Sequence, residues 1–111
     1  MPGADLTRAD LPYAILTNAN LRSAHLDGAT LLGVTLYGSD LTYSSILSGN
    51  LNGANLTGAN LTDANLTDST LKGTVLIYAN LTGVDLTGAT AAAGAVWPEG
   101  FDPEAAGVIF E

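Results

Sequence analysis

Cysteine is absent from this 111-residue sequence, so neither a disulfide bond nor a thiolate metal ligand is available. Histidine is almost absent as well, since His25 is the only one. A nucleophile–base pair needs a basic group beside the nucleophile, and one histidine without nearby carboxylates makes a poor metal site. The sequence therefore predicts no metal site, no cofactor and no catalytic residues, and we expect His25 to lie in solvent.

Basic residues are scarce: 3 Lys and Arg stand against 11 Asp and Glu, which gives a net charge of -8. Nucleic acids and anionic membranes are bound through Lys and Arg, so we expect no direct binding to either. No apolar run approaches the roughly 18 residues that cross a membrane. The start, Met1 to Asp5, lacks the positive charge and apolar run of a signal peptide, so a cytoplasmic location is expected by default.

What the sequence contains instead is a repeat of five residues. Leucine recurs at every fifth position from Leu6 to Leu86, with Ile46 as the one replacement, and the series fails at Ala91. A small residue stands two positions before each leucine, and the residue between them is usually Asn or Asp. We call the five positions small, middle, leucine, first corner and second corner. A fixed short period of this kind is typical of solenoid proteins.

A period of five fits neither an α-helix nor a long strand. On a helix each leucine would be rotated by about 140° from the last, and on a strand successive leucines would alternate between faces. The small residue and the leucine are two apart, so in a short extended segment they point the same way. Thr-Gly and Asp-Gly at the corners supply residues that turn easily, as at Gly58 and Gly28. The pattern predicts a solenoid with leucine and the small residue inside.

The repeat resembles the pentapeptide-repeat family, whose signature is A-(D/N)-L-x-x. Residues 54–58, 59–63 and 64–68 match it fully, and the resemblance extends over about residues 4–90. It implies an all-β fold, a right-handed quadrilateral β-helix with four pentapeptides in each turn. The expected organisation is a β-helix of about four and a half coils over residues 1–90 and a capping segment over residues 91–111.

The two ends of the repeat differ. Trp97 and Phe101 are suited to cover the last leucine layer, and the prolines beside them stop further strand pairing. An aromatic recognition motif is the alternative interpretation. The segment W-P-E-G-F-D-P also resembles the tail of small cyanobacterial pentapeptide-repeat proteins. The repeat begins at Ala4, so the first coil is expected to be uncapped, and an end-to-end homodimer through this N-terminal coil is the resulting hypothesis.

With four sides to a turn, as the resemblance implies, one side collects apolar residues at outward positions where polar residues are the rule. They form the candidate protein-contact patch: Ile15, Tyr37, Val75, Ile77 and Tyr78. Tyr and Ile commonly anchor protein interfaces. The alternative is that these are scattered apolar residues of the kind found on any surface.

Asp63 and Asp68 occupy equivalent corners one repeat apart. On a convex, wet surface two carboxylates are poor acid–base catalysts, so an enzyme is not expected. Asn at successive middle positions is expected to form hydrogen-bonded ladders along the solenoid.

Two functions follow as hypotheses. The first is a non-catalytic structural or adaptor protein that binds an unidentified protein partner through the solenoid surface. The second comes from the resemblance: some family members mimic a DNA duplex and inhibit a topoisomerase such as DNA gyrase, and the net charge of -8 fits that role. Mimicry is weakened because Glu99, Asp102, Glu104 and Glu111 lie in the tail, and because four-sided stacking places no Asp above another.

Overall fold

The computed structural model describes residues 2–92 and 94–111. Each middle residue forms a parallel β-bridge with the middle residue 20 positions later, as in Asp5–His25, His25–Ser45 and Ser45–Asn65. Twenty residues are four pentapeptides, so the chain winds into a four-sided β-helix, as the resemblance implies. Side 1 comprises residues 4–8, 24–28, 44–48, 64–68 and 84–88; side 2, 9–13, 29–33, 49–53, 69–73 and 89–92; side 3, 14–18, 34–38, 54–58 and 74–78; side 4, 19–23, 39–43, 59–63 and 79–83.

Regular strands are very short because each side is only one pentapeptide wide. Two are long enough to name: β1, Thr90–Ala91, and β2, Ile109–Phe110. They are parallel, with Thr90 opposite Ile109 and Ala91 opposite Phe110. No helix within residues 2–92 and 94–111 is both long and apolar enough to cross a membrane.

Three backbone hydrogen bonds join neighbouring coils on each side. Between the third and fourth coils on side 4, the Leu61 N–H donates to the Asn80 carbonyl (2.8 Å) and the Asp63 N–H to the Thr82 carbonyl (2.9 Å). In the other direction, the Asn80 N–H donates to the Ala59 carbonyl (2.9 Å). This pattern recurs from coil to coil, so an edge strand that lacks a neighbour leaves two N–H groups and one carbonyl open.

The core is a column of leucine side chains. Leu21, Leu41 and Leu61 are 0% exposed, and the small residues of the central coils, such as Ala54, are equally buried. Leucines near the ends, such as Leu6 and Leu81, are only partly buried because they have a neighbouring coil on one side. The predicted interior of leucine and small residues is confirmed.

Four small positions carry a buried hydroxyl group, and these hydroxyls differ in their partners. Ser69 Oγ donates to the Leu66 carbonyl (2.7 Å) and Thr74 Oγ1 to the Leu51 carbonyl (2.7 Å). Within the described part of the chain, Oγ of Ser39 and Oγ of Ser44 are buried without a hydrogen-bond partner. A buried polar group without a partner lowers stability by about 1–3 kcal/mol.

We therefore expect Ser39→Ala and Ser44→Ala each to stabilise the fold by about 1 kcal/mol, since alanine is the usual residue at this position and leaves no polar atom unpaired. The matched control is Ser69→Ala, which removes a made hydrogen bond and should lower stability by about 0.5–1.5 kcal/mol. Urea unfolding measures both through the transition midpoint at constant slope. A lower midpoint for Ser39→Ala would contradict the assignment.

The second corner requires a left-handed backbone conformation. Glycine fills it at eight repeats, with φ between 63° and 73°, as expected from the sequence. Other residues fill it elsewhere, with Tyr13 at φ 60° and Asp63 at φ 56°. Their side chains lie over the second corner of the next coil, where glycine leaves room: a Cβ built on Gly33 would approach the Tyr13 ring to 2.5 Å. The same arrangement places the Asp63 carboxylate over Gly83.

The middle Asn residues stabilise their own corner rather than forming ladders, so that expectation is wrong for most of them. Asn60 Oδ1 accepts from the Thr62 N–H (3.0 Å) and from the Thr62 hydroxyl (2.6 Å). The same local bonds recur at Asn55, Asn65 and Asn80. A side-chain acceptor of this kind satisfies a turn N–H two residues later, which is the Asx-turn arrangement.

Gly49 is the one glycine at a small position, and Ile46 stands at the leucine position before it. A Cβ built on Gly49 would lie 2.5 Å from Ile46 Cγ2. At the equivalent corner one coil earlier the pair is Leu26 and Ala29, both buried. The branched methyl of Ile46 therefore occupies the space that the alanine methyl fills in other coils.

The winding continues beyond residue 90, into the predicted capping segment. Val96 bridges Val75 on side 3 at a spacing of 21 residues, so one residue is inserted in this coil. Trp97 and Phe101 then stack with their ring centroids 5.5 Å apart, and both pack against the core. The chain finally returns to side 2, where β2 pairs with β1.

Candidate protein-contact surface

The five residues of the candidate patch all lie on side 3. Ile15 and Val75 occupy its middle column, which runs through Thr35 and Asn55 and ends at Val96. Tyr37 and Ile77 share the first-corner column, and Tyr78 stands at the second corner. The 20-residue turn therefore gathers residues that are up to 63 positions apart in sequence onto one surface.

Side 3 is not uniformly apolar, because its third coil is polar. Asn55 and Thr57 hydrogen-bond to each other there, with the Thr57 hydroxyl 2.6 Å from Asn55 Oδ1. The patch is thus divided into two areas. The first comprises Ile15, 79% exposed, and Tyr37, 51% exposed; the second comprises Val75, Ile77, Tyr78 and Val96, with Tyr78 83% exposed.

Val96 was missed from the sequence because the inserted residue moves it out of the five-residue register. Tyr13 and Tyr43 were also missed, although both are exposed at second corners on other sides. Tyr43 receives a cation–π contact from Arg22, whose guanidinium carbon lies 4.9 Å from the ring centroid. The sequence feature that could have identified both tyrosines is the replacement of glycine by a large residue at a second corner. Side 3 remains the side with most exposed aliphatic and aromatic residues.

The residues that the sequence offered for catalysis or metal binding, His25, Asp63 and Asp68, lie on the surface at separate positions. His25 is exposed, and no cluster of three His, Asp or Glu suited to a metal ion occurs within residues 2–92 and 94–111. Asp63 and Asp68 each lie over a different glycine of the next coil, Gly83 and Gly88. The two carboxylates are thus held at separate corners.

Three middle carboxylates have a lowered pKa because neighbouring threonines donate hydrogen bonds to them. The Thr42 hydroxyl (2.5 Å) and then the Thr42 N–H (3.0 Å) hold the pKa of Asp40 below its ordinary value of 3.8. Thr7 lowers the pKa of Asp5 in the same way, and the Thr87 N–H and hydroxyl lower that of Asp85. These groups are ionised at neutral pH, so they are unsuited to acid catalysis.

The lowered pKa of Asp40 predicts a pH dependence of stability. A depressed folded-state pKa contributes stability above the unfolded value of 3.8, and this contribution is lost as the pH falls through the folded-state value. Asp40→Asn keeps the acceptor oxygen, as Asn60 and Asn80 do in the same column. We expect it to lose less stability on acidification, measured by urea unfolding across this pH range. The reverse variant, Asn60→Asp, should lose more stability than the wild-type protein on acidification. An equal loss of stability in the wild-type protein and both variants would contradict the prediction.

Comparison with protein-family models matches the description "Pentapeptide repeats", in 8 copies over residues 4–42 and 50–88. A search of curated proteins finds no match. Among solved structures, a pentapeptide repeat protein of the Arabidopsis thaliana thylakoid lumen is 32% identical, with a TM-score of 0.54, over 80% of this chain and 62% of its own.

Two cyanobacterial structures are also similar. Rfr23 of Cyanothece 51142 is 35% identical over 79% of this chain and 63% of its own, with a TM-score of 0.47. The protein alr5209 of Nostoc is 28% identical over 98% of this chain and 82% of its own, with a TM-score of 0.47. This chain thus spans less than two thirds of the length of the Arabidopsis and Cyanothece proteins.

The family match is interrupted at residues 43–49, where the residues are least typical. Ser44, Ile46 and Gly49 stand there at small and leucine positions. The backbone nevertheless winds through this segment without a break, since Ser45 bridges both His25 and Asn65. The interruption therefore marks a change of packing within an unchanged backbone.

Proposed function

This chain belongs to the pentapeptide-repeat family, and on that basis we propose that it acts without catalysis, as a rigid rod that binds another protein through side 3. The observation that carries the proposal is the exposure of Ile15, Tyr37, Ile77 and Tyr78 on one side of a surface whose corresponding positions are otherwise mainly polar. Exposed apolar side chains grouped on one face favour association with a partner.

The backbone beneath these residues supports a role in binding. Bonds such as Leu36 N–H to the Asn55 carbonyl (2.8 Å) and Gly58 N–H to the Ile77 carbonyl (2.9 Å) tie every coil of side 3 to the next. A surface held in its binding conformation loses little freedom on association, which increases affinity for a given contact area.

The division of side 3 specifies what the partner must reach. Tyr37 and Ile77 lie in the same column two coils apart, which corresponds to about 10 Å at the spacing of β-strands. A partner that uses both areas places two apolar groups at this separation, with a polar group over Asn55 and Thr57 between them. Contacts at both areas give such an interface its register.

The acidic residues give the DNA-mimicry hypothesis no comparable support. Within the described residues, no Asp bridges another Asp; the Asp partners in the ladders are His25, Thr30, Asn20, Asn60 and Asn65. Asp27 Oδ1 accepts hydrogen bonds from the Ser45 hydroxyl and the Leu47 N–H. Glu111 forms an ion pair with Lys72, at 3.6 Å. A duplex presents phosphates in continuous rows, whereas these carboxylates are separated by neutral groups.

Site-specific photo-crosslinking tests the proposal. A photoreactive phenylalanine analogue replaces Tyr37 or Ile77, and the protein is exposed to a lysate of its source cells before washing at low and high salt. We expect a crosslinked partner from both positions that survives high salt, because an apolar contact is not screened by ions. Tyr37→Ala should then weaken binding of the identified partner about tenfold or more.

The control position is Thr67, a first-corner residue on side 1, opposite side 3. Crosslinking from Thr67 to the same partner, or release of the partner by salt, would contradict contact through side 3. A topoisomerase released by salt would favour mimicry instead.

A further inference from the structure

The four sides of the β-helix end differently at the last coil. Side 2 receives β2 as an additional strand, with the Ile109 N–H donating to the Ala89 carbonyl at 2.8 Å. Side 3 receives Val96, whose carbonyl accepts from the Leu76 N–H at 2.7 Å. On side 1 the Gly107 carbonyl accepts from the Gly88 N–H at 3.2 Å. Within the described residues, the C-terminal segment therefore bonds to the last strand of sides 1, 2 and 3, on side 1 through the Gly88 N–H alone, and does not bond to side 4.

Side 4 ends in an open strand edge at residues 79–83. In the coil below, the Leu61 and Asp63 N–H groups donate to the next coil, and the Ala59 carbonyl accepts from it. Their equivalents are the N–H groups of Leu81 and Gly83 and the carbonyl of Ala79. Within residues 2–92 and 94–111 none of these three groups has a hydrogen-bond partner.

The side chain beneath this edge is also uncovered. Leu81 is only partly buried, whereas Leu21, Leu41 and Leu61 below it on side 4 are 0% exposed. An open cleft of about 490 Å³ lies over the edge, between residues 78–82 and the cap residues 98–101. The cap therefore stands beside the place of a fifth strand on side 4 without filling it.

We propose that this cleft binds an extended segment of a partner protein, which adds to side 4 as a further parallel strand. Its backbone would repeat the three bonds seen between the third and fourth coils: one N–H donating to the Ala79 carbonyl, and two carbonyls accepting from the N–H groups of Leu81 and Gly83. Strand addition of this kind is a general mode of peptide recognition. The chain already uses it on side 2, where β2 pairs with β1.

The chemistry of the cleft defines the segment. One apolar side chain of the segment, such as leucine, points inward and covers Leu81, as each leucine covers the one below it. Glu99 is the only charged residue that lines the cleft, and the chain carries a net charge of -8. Lysine or arginine at the two flanking, outward positions of the segment is therefore favoured.

A second copy of the rod does not fit this site as a whole coil. Residues 96–111 already bond to the last strands of sides 1, 2 and 3, so within the described residues side 4 is the side on which all three edge groups are open. A single extended strand has the required width, whereas a stacked coil needs all four sides open. The site is also separate from the contact area on side 3, with which it shares only Tyr78, so it does not depend on the function proposed above.

The probe is the peptide Ac-Ala-Lys-Leu-Lys-Gly-NH2, one repeat with lysine at its outward positions, titrated into the ¹⁵N-labelled full chain. We expect saturable shifts of the Leu81 and Gly83 amide resonances, and about tenfold slower hydrogen exchange at both when the peptide is bound. Leu61 and Asp63 are the matched amides, already bonded in the coil below, and should not change. Absence of shifts at Leu81 and Gly83, or shifts centred elsewhere, would overturn the proposal.

Two altered peptides and two protein variants separate backbone pairing from charge. Methylating the backbone nitrogen of the first lysine should weaken binding about tenfold, because it removes the bond to the Ala79 carbonyl. Glutamate in place of both lysines, or Glu99→Gln in the protein, should weaken it about threefold at low salt. Tyr37→Ala, on side 3, should leave peptide affinity unchanged. Equal affinity of the methylated peptide would show that no strand is added.

Discussion

Replacing Leu51 by aspartate is expected to abolish cooperative folding of the rod. Leu51 is 0% exposed in the third coil and packs between the leucine layers above and below it. The substitution removes a buried side chain, at a cost of about 2–5 kcal/mol, and leaves a charge without a partner, which costs several more. A protein of this size has a total stability of about 5–15 kcal/mol, so the two costs together approach or exceed it.

The matched control is the neighbouring residue on the same side. Asn52→Asp introduces the same charge at a first corner, where the Asp oxygen can still accept the Lys72 N–H that Asn52 Oδ1 accepts at 2.9 Å. This variant should change stability by less than about 0.5 kcal/mol. Far-ultraviolet circular dichroism and urea unfolding compare the two.

The central location of Leu51 determines how much of the rod the substitution destabilises. In a solenoid each coil contacts only its neighbours, so a defect in the third coil interrupts the stack between its two halves. We expect broad, non-cooperative melting, or no melting transition, for Leu51→Asp. A sharp transition within a few degrees of the wild-type protein would refute the continuous leucine column as the source of stability.

The second large effect is expected at Gly49. Gly49→Ala places a methyl group 2.5 Å from Ile46 Cγ2, well inside van der Waals contact. Overpacking of a rigid core destabilises by about 1–3 kcal/mol, and the smaller entropy of the unfolded alanine chain offsets only about 0.4–1 kcal/mol. The result would be unusual, because alanine is the most frequent residue at this position in the rest of the chain.

A double-mutant cycle identifies the cause. Ile46→Leu removes the branched methyl, and the double variant recreates the leucine–alanine pair found at Leu26 and Ala29. We expect the double variant to recover most of the stability lost in Gly49→Ala, with a coupling energy of about 1–3 kcal/mol in urea unfolding. Additive effects of the two substitutions would mean that Ile46 and Gly49 do not compensate each other.

This pair bears on how the family is recognised. The interrupted match at residues 43–49 contains both residues, yet the coil there has the same bridges as its neighbours. A change at the leucine position is thus accommodated by a change at the next small position, while the backbone retains its path.

Much of the fold could be predicted from the sequence because the same contact repeats in every coil. Leu56 and Ala54 each meet residues like themselves in the coils above and below, so a local rule for one pentapeptide holds for all. The inward leucines and the glycine corners such as Gly58 follow from this rule, whereas the position of all five patch residues on one side depends on the four-sided turn that the family resemblance implies. The role of the middle Asn residues did not follow, because local turn bonds at Asn60 compete with ladders between coils.

The sequence by itself thus determined the five-residue sides and the buried leucine column. Only the tertiary structure decided the ends and the exceptions. Three features of the C-terminal end depend on single contacts that occur once in the chain: the register of Val96, the stacking of Trp97 on Phe101 and the pairing of β2 with β1. The repeat pattern cannot predict such contacts. The open edge at Leu81 arises because the C-terminal segment bonds to the last strands of the other three sides and, within the described residues, not to side 4.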